Sequence, residues 1–292
     1  MQDVTRTTVS TPSRASQILG RLATNLALDY RFATFAELPL SAMERLAYLP
    51  RKYAAIAGGA RKITWLGRPF RYDNRLMPAL LQGYPREIAA LDRHVHFASA
   101  ARVMDVGANV GQFAFTLKTF FPHLTVVSFE PNPDAFALLQ ENTAQHSSWR
   151  ALPFGLARAA QSSDFYVVEG KSAQGSLYAE NATLNLIGGA SKKIQVRLEQ
   201  LTEATLAAHD LPSEYDFVKI DVEGFELDVL ASLDRVRWRY LYLELSLQRT
   251  GGSSLEEVTR LIERITGRPP RVVYEEPVAP GASHMDVILA AG

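Results

Sequence analysis

The chain holds 292 residues, with 31 Lys and Arg balanced by 31 Asp and Glu, and no cysteine. That length suits one large domain, or one domain with an arm, and is enough for a self-sufficient core. Zero net charge gives no basic signature for nucleic acid or an acidic membrane, and the missing cysteines exclude disulfides, thiolate catalysis and Cys–zinc sites.

Residues 1–16 are rich in Ser, Thr and Arg and are expected to be disordered. Ile18 to Leu28 is interrupted by Gly20, Arg21 and Asn25 and lacks the core of a signal peptide. No stretch reaches the length of a membrane span, so a cytoplasmic protein is expected. Helical spacing runs through 17–57, carried by Ile18, Leu22, Leu26, Met43, Leu46 and Leu49, with Pro39 and Pro50 predicted to break it into short helices. The chain thus divides into an N-terminal helical arm, 1–62, and a domain, 63–292. The arm is expected to pack on the domain, with pairing to a second copy as a homodimer the alternative.

Ile63 to Tyr72 reads as a hairpin turning at Gly67, followed by a helix over 85–98. Arg102–Val106 is a short apolar run that suits a parallel strand covered on both faces. A helix over 111–121 follows, with Phe113, Leu117, Phe120 and Phe121 on one face, then a second strand over 125–129. Asn132 caps the next helix, with Pro133 at its first position and Asp134 in its first turn. Arg150 to Gly155 gives a third strand and its turn. The polar stretch 157–198 is read as an antiparallel β insertion over the active-site face, with strands 164–169 and 193–198 around a Gly/Ser/Asn-rich loop at 170–191. A helix over 199–209, a strand over 216–221, a helix over 225–233 and a strand over 239–245 come next. Ser254 and Glu257 form a capping box for a helix ended by Gly267 and Pro269, and strands 271–274 and 285–290 close the chain. This alternation predicts an α/β fold: a doubly wound, mostly parallel sheet with helices on both faces.

Val103-Met-Asp-Val-Gly107-Ala-Asn-Val-Gly111, with Phe129-Glu130-Pro131-Asn132-Pro133 beginning eighteen residues on from Gly111, is the most informative pair of segments. Gly107 and Gly111 bracket a tight turn where backbone must approach a ligand, and Glu130 ends the next strand, where an acid can accept from both hydroxyls of a ribose. A dinucleotide turn would need Gly at the positions held by Asn109 and Gln112 to cradle a pyrophosphate. S-adenosylmethionine carries no phosphate, and Asp105 can orient its amino-acid end, so this cofactor is preferred to NAD.

The second constellation is Lys219-Ile-Asp221-Val-Glu223-Gly-Phe-Glu226. The strand it ends lies beside the first across the switch point of a doubly wound sheet, and its carboxyl end faces the ligand crevice. Charges packed at one strand end are costly unless they serve a site, although acids before a helix N-terminus also favour its dipole. Glu244 ends the next strand, where it could point into the same crevice or serve as a buried structural acid. Asp221, Glu223 and Glu244 could offer oxygen ligands to a divalent metal, but no Asp-Asn or Asp-Asp pair follows that strand, and the metal-free reading is preferred. His94-x-His96 lies on the wrong edge of the sheet to serve as a ligand pair.

These three blocks resemble the FkbM family of S-adenosylmethionine-dependent O-methyltransferases: Asp105 to Gly111 with Phe113, Phe129 to Pro133 through Leu139 and Asn142, and Lys219 to Glu226, with Leu243-Glu244 following. The resemblance runs from about Ile63 to the C-terminus and does not reach the arm. One departure is Leu201-Thr202, where the family often has Leu-Asp. The resemblance implies a Rossmann-like class I methyltransferase sheet of seven strands with the last antiparallel, and methyl transfer to a hydroxyl of a sugar, glycan or natural-product alcohol such as a polyketide. The expected catalytic residues are Asp221, Lys219, Glu223 and Glu244. The expected cofactor set is Asp105, Gly107, Ala108, Asn109, Gly111, Glu130, Pro131, Asn132, Gly155 and Asp221, with no metal ligand. Tyr166 and Tyr178 offer rings to a sugar. The competing readings are an NAD-type oxidoreductase and a degenerate cofactor-binding scaffold; the missing glycines speak against the first and the retained acids against the second.

Overall fold

The computed structural model describes residues 26–35, 40–168, 171–184, 191–278 and 282–292, so the stretch expected to be disordered, 1–16, lies outside the described residues. Residues 26–34 are helical (α1), and α2 spans Ala42–Gly58 from a capping box of Ser41 and Glu44 to a left-handed Gly59. The predicted break at Pro50 does not occur. Pro50 forfeits one helical hydrogen bond, but Tyr48 and Lys52, buried on either side of it, anchor the helix across the gap. Tyr48 and Phe32 close on Trp65 with ring centroids 5.0 and 5.7 Å away, so the arm shares the core of the domain.

The hairpin β1 (Lys62–Trp65) and β2 (Arg68–Arg71) turns at Leu66 and Gly67, both at positive φ. Helices α3 (Met77–Leu80) and α4 (Tyr84–Val95) lead into the sheet units. These are β3 (Arg102–Val106), α5 (Gln112–Phe120), β4 (Thr125–Phe129), α6 (Pro133–Thr143) and β5 (Trp149–Leu152). An insertion follows, made of β6 (Gly155–Leu156), β7 (Gln161–Val168), β8 (Lys171–Ser176), α7 (Ala179–Leu184) and β9 (Ser191–Glu199). The main sheet resumes through α8 (Glu203–Ala208), β10 (Glu214–Ile220), α9 (Glu226–Ser232), β11 (Arg237–Ser246), α10 (Leu255–Thr266), β12 (Arg271–Glu275) and β13 (His284–Ala290).

The seven-stranded sheet runs β12-β13-β11-β10-β3-β4-β5, parallel except for β13. This is the doubly wound, Rossmann-like seven-stranded order that the resemblance implies, with the switch point between β3 and β10. Each face has its own core. Phe113, Phe217, Tyr242 and Ile288 pack on the side of α4 and α5; Val106, Val218, Leu243 and Val258 pack on the side of α9 and α10.

The insertion forms a second sheet, β6-β9-β7-β8. The stretch read from sequence as a loop, 170–191, contains β8 and α7. Lys171–Ser176 carries no apolar alternation, and it is held by backbone pairing to β7. Gly175 is needed there because a Cβ would lie 2.5 Å from the Phe165 ring. Thr202, which stands where the family often has Asp, caps α8 by accepting from the Thr205 amide at 3.1 Å.

Candidate active site

The turn after β3 is pressed against the end of β10. The Asp221 amide donates to the Val106 carbonyl at 3.1 Å, and a Cβ on Gly107 would sit 1.9 Å from the Asp221 carbonyl oxygen. Only glycine fits, and its φ of +79° confirms the local demand. Gly111, at φ +87°, admits the side chains of Leu139 and Trp149 instead, which makes it a helix-packing position. Glu130 closes the turn: its carboxylate accepts from the Asn109 amide at 2.7 Å and the Asn132 amide at 2.8 Å. Burial pushes the Glu130 carboxyl up to about 7, against those two amides, which favour its charged form.

A cleft of about 910 Å3, open solvent at its mouth included, lies over these strand ends. Gly107, Asn109, Glu130, Pro131, Gly155, Asp221, Glu223 and Glu244 line it. Asp105, Ala108, Gly111, Asn132 and Lys219 stand behind its walls. Asp105, expected to orient a cofactor's amino-acid end, is fully buried one layer below the cleft, because its position in β3 pairs with Lys219 in β10 and Ser128 in β4. Asn132 caps α6 through the Asp134 amide at 3.1 Å.

That layer is a polar row across an otherwise apolar face. The Trp149 indole donates to Ser128 at 3.0 Å, and Ser128 donates to Asp105 Oδ2 at 3.1 Å. Asp105 Oδ1 lies 3.9 Å from Lys219 Nζ and has no hydrogen-bond partner. Lys219 in turn donates to Asp221 Oδ2 at 2.9 Å, and Asp221 is the member that reaches the cleft. Burial alone would lower the Lys219 ammonium, but Asp221, Asp105 and Glu87 outweigh it and hold the group above its ordinary value. Glu244 follows the residue that pairs with Ile220, and the charge of Asp221, then burial, pushes its carboxyl up. One strand end therefore carries an ammonium, the carboxylate it donates to, and a neighbouring carboxyl pushed up by the charge of that carboxylate.

Glu223 is at positive φ (+54°), with its carboxyl raised to about 7 by burial while Arg249, with which it forms an ion pair, pulls the other way. Its carbonyl accepts from Asn181 of the insertion at 3.0 Å, and Asn181 also binds Thr250 through both its side-chain amide nitrogen and its oxygen. Glu226 faces inward, accepting from the Gly224 amide at 2.9 Å and Ser246 at 2.8 Å. The loop after β10 is thus tied to the insertion and to the loop after β11. Tyr178 packs over Phe225 and Gly251, and neither it nor Tyr166 lines the cleft.

Past Glu244 the cleft meets a groove between α4 and strands β11, β13 and β12, with Glu87, Tyr242 and Asp286 on its floor. Burial raises the Glu87 carboxyl to about 8 and raises that of Asp286. His94 stands at its wall with its ring centroid 5.6 Å from that of Tyr274. Sequence reasoning missed Tyr84, Gln112, Phe165 and the groove. Tyr84 and Phe165 come from segments outside the two motif blocks. Gln112 was read only as an absent glycine, although its place at the start of α5 puts it beside the turn. Among the described residues, no group of three His, Cys, Asp or Glu is arranged to hold a metal, and no helix is long and apolar enough to cross a membrane.

Known methyltransferases resemble this chain in sequence. A fungal protein, methyltransferase 1 of Beauveria bassiana (strain ARSEF 2860), is 28% identical over 155 residues, covering 49% of this chain and 62% of its own. The hexuronic acid methyltransferase AglP of Haloferax volcanii is 28% identical over 159 residues, covering 54% of this chain and 59% of its own. The 31-O-demethyl-FK506 methyltransferase FkbM of Streptomyces tacrolimicus is 27% identical over 181 residues, covering 55% and 70%. The match spans about three-fifths of the first two curated relatives, at 62% and 61% of their length. The methyltransferase FkbM domain matches residues 105–268, from the buried Asp105 through both constellations to the end of α10, and the chain belongs to this methyltransferase family.

Proposed function

We propose that the protein is an S-adenosylmethionine-dependent O-methyltransferase acting on a hydroxyl of a sugar or glycan. The observation that carries this reading is the convergence of the Gly107 turn, Glu130 and the Lys219–Asp221–Glu244 cluster on one cleft. The cofactor fits the residues present. Asn109 Oδ1 and Gln112 Oε1 belong to cleft-lining residues yet are buried without a hydrogen-bond partner, which suits a ligand that brings donors. Glu130 would accept from the ribose hydroxyls, Leu156, Phe165 and Val229 offer an apolar wall for the adenine, and the acids favour a positively charged ligand.

When bound, S-adenosylmethionine supplies a methyl group already made electrophilic by its sulfonium. The chain's task is to align an acceptor oxygen and take its proton. Asp221 accepts that proton, Lys219 holds the Asp221 carboxylate in place, and Glu244 beside them helps to orient the acceptor. The groove past Glu244 receives the rest of the acceptor, its carboxyls and Tyr242 meeting hydroxyls and the Tyr274 ring offering an aromatic surface. The reaction so written needs no metal.

Transfer of labelled methyl from S-adenosylmethionine to a panel of glycans and macrolides tests the reading. Labelling of a sugar hydroxyl that survives chelation is expected. Labelling of a macrolide alone would move the acceptor to the natural-product class, as the FK506 relative's name invites. Labelling of protein or nucleic acid alone would overturn the proposal.

A further inference from the structure

The balanced net charge conceals a division along the chain. The first 80 residues hold 12 Lys and Arg against 5 Asp and Glu, and the rest hold 19 against 26. The basic part also carries most of the exposed apolar surface. Of the eleven large apolar side chains exposed among the described residues, seven lie between Leu26 and Leu80. On α2 the exposed residues Met43 (80% exposed), Leu46 (57%), Pro50, Tyr53 and Ala57 recur at i, i+3, i+7, i+10 and i+14, a stripe on the side away from the buried Tyr48 and Lys52. This helix is apolar on two faces and uses only one for packing.

The stripe is continued by its neighbours. Asp29 binds Lys52 and Tyr53, and the Phe35 carbonyl accepts from Arg45, so α1 lies antiparallel along α2 and adds Tyr30 (71% exposed). Arg75 donates to the Ile56 carbonyl at 2.6 Å and sets Leu76 at the far end. Exposed Arg31, Arg51 and Arg75 flank this surface.

We propose that this face docks peripherally on an anionic lipid bilayer. Aliphatic and aromatic side chains flanked by Arg31, Arg51 and Arg75, with one exposed acid, Glu44, beside them among the described residues, match the acyl boundary and the anionic headgroups above it. A second copy fits less well, because a two-fold interface would press two basic faces together. Nucleic acid would satisfy the arginines and leave the apolar stripe in water. Leu80, at the end of α3, lies four residues before Tyr84, which lines the cleft, so the exposed apolar surface ends close in sequence to the cleft.

The test is sedimentation of the full chain with vesicles of phosphatidylcholine alone and with about 30 mol% phosphatidylglycerol. Binding to the anionic vesicles only, weakened by salt, is expected. Met43→Ser with Leu46→Ser, and separately Arg31→Glu with Arg51→Glu, should each weaken it about tenfold or more, with cofactor affinity and circular dichroism unchanged. No binding to either vesicle, or equal binding to both, overturns the proposal. So does a dimer in analytical ultracentrifugation that Leu46→Ser dissolves, or binding to nucleic acid in place of vesicles.

Discussion

Three lysines are buried among the described residues, and two of them, Lys52 and Lys219, pair with carboxylates in surroundings that differ in kind. Lys52, in the arm, meets a closed set of partners: it pairs with Asp29 and donates to Gln82 at 3.2 Å, while Tyr53 at 2.5 Å and Gln82 at 3.0 Å donate to the same Asp29. Lys219, under the cleft, meets an open one. Asp105 Oδ1 stays without a hydrogen bond, and Asp221 is about one-third exposed toward the cleft. A closed set fixes two helices against each other. An open set keeps a charged group poised beside solvent, at an energetic cost that a purely structural role would not require.

The largest effect should come from breaking the closed set. Lys52→Met leaves Asp29 buried without its cation and should cost roughly 3–5 kcal/mol of stability, read as a shift of the denaturant midpoint. Cofactor affinity of the protein that remains folded should hold. Asp29 titrates below its ordinary value, since its bonds to Lys52, Tyr53 and Gln82 outweigh burial. Its contribution is therefore present above the unfolded carboxyl value of about 4 and is lost as pH falls through the lower folded value. A flat stability profile through that acid range would refute the assignment.

Asp221→Asn should do the opposite, leaving fold and cofactor affinity intact while lowering turnover on the order of 10²-fold or more. Near-normal turnover in a folded variant would shift the base to Glu244. Next in size is Glu130→Ala, which should weaken S-adenosylmethionine by roughly 1.5–3 kcal/mol in calorimetry. The Glu130 carboxyl sits at about 7 without ligand, and ribose hydroxyls donate to its ionised form. Affinity should thus strengthen as pH rises to about 7 and level off above it. Glu130→Gln should flatten that rise, and an unchanged pH profile in it would place the titrating group elsewhere. Glu223→Gln should have the smallest effect on turnover, because Glu223 faces Arg249 as well as the cleft; a loss equal to that of Asp221→Asn would make it a partner in proton transfer.

Much of the fold is legible in the chain because its signals are local. Apolar runs such as Val103 to Val106, the Asn132 cap with Pro133, and the Ser254–Glu257 capping box each act within a few residues, and the structure places their elements as expected. The exceptions are where distant packing overrides a local preference: α2 passes through Pro50, and β8 forms from a Gly/Ser-rich segment because β7 offers it an edge.

The candidate site divides in the same way. The sequence by itself determined the family, the sheet and the two motif blocks, because strand ends and tight turns leave residue-level traces. Only the tertiary structure decided which motif residues meet the cleft. Asp105, Lys219 and Asp221 share one face of the sheet, and the register of β3 against β10 sets their depth, so Asp221 reaches the cleft while Asp105, in an equally telling motif, lies one layer down beside Lys219. The exposed stripe of α2 likewise needed the fold, since helical periodicity shows an apolar face but not which neighbour covers it.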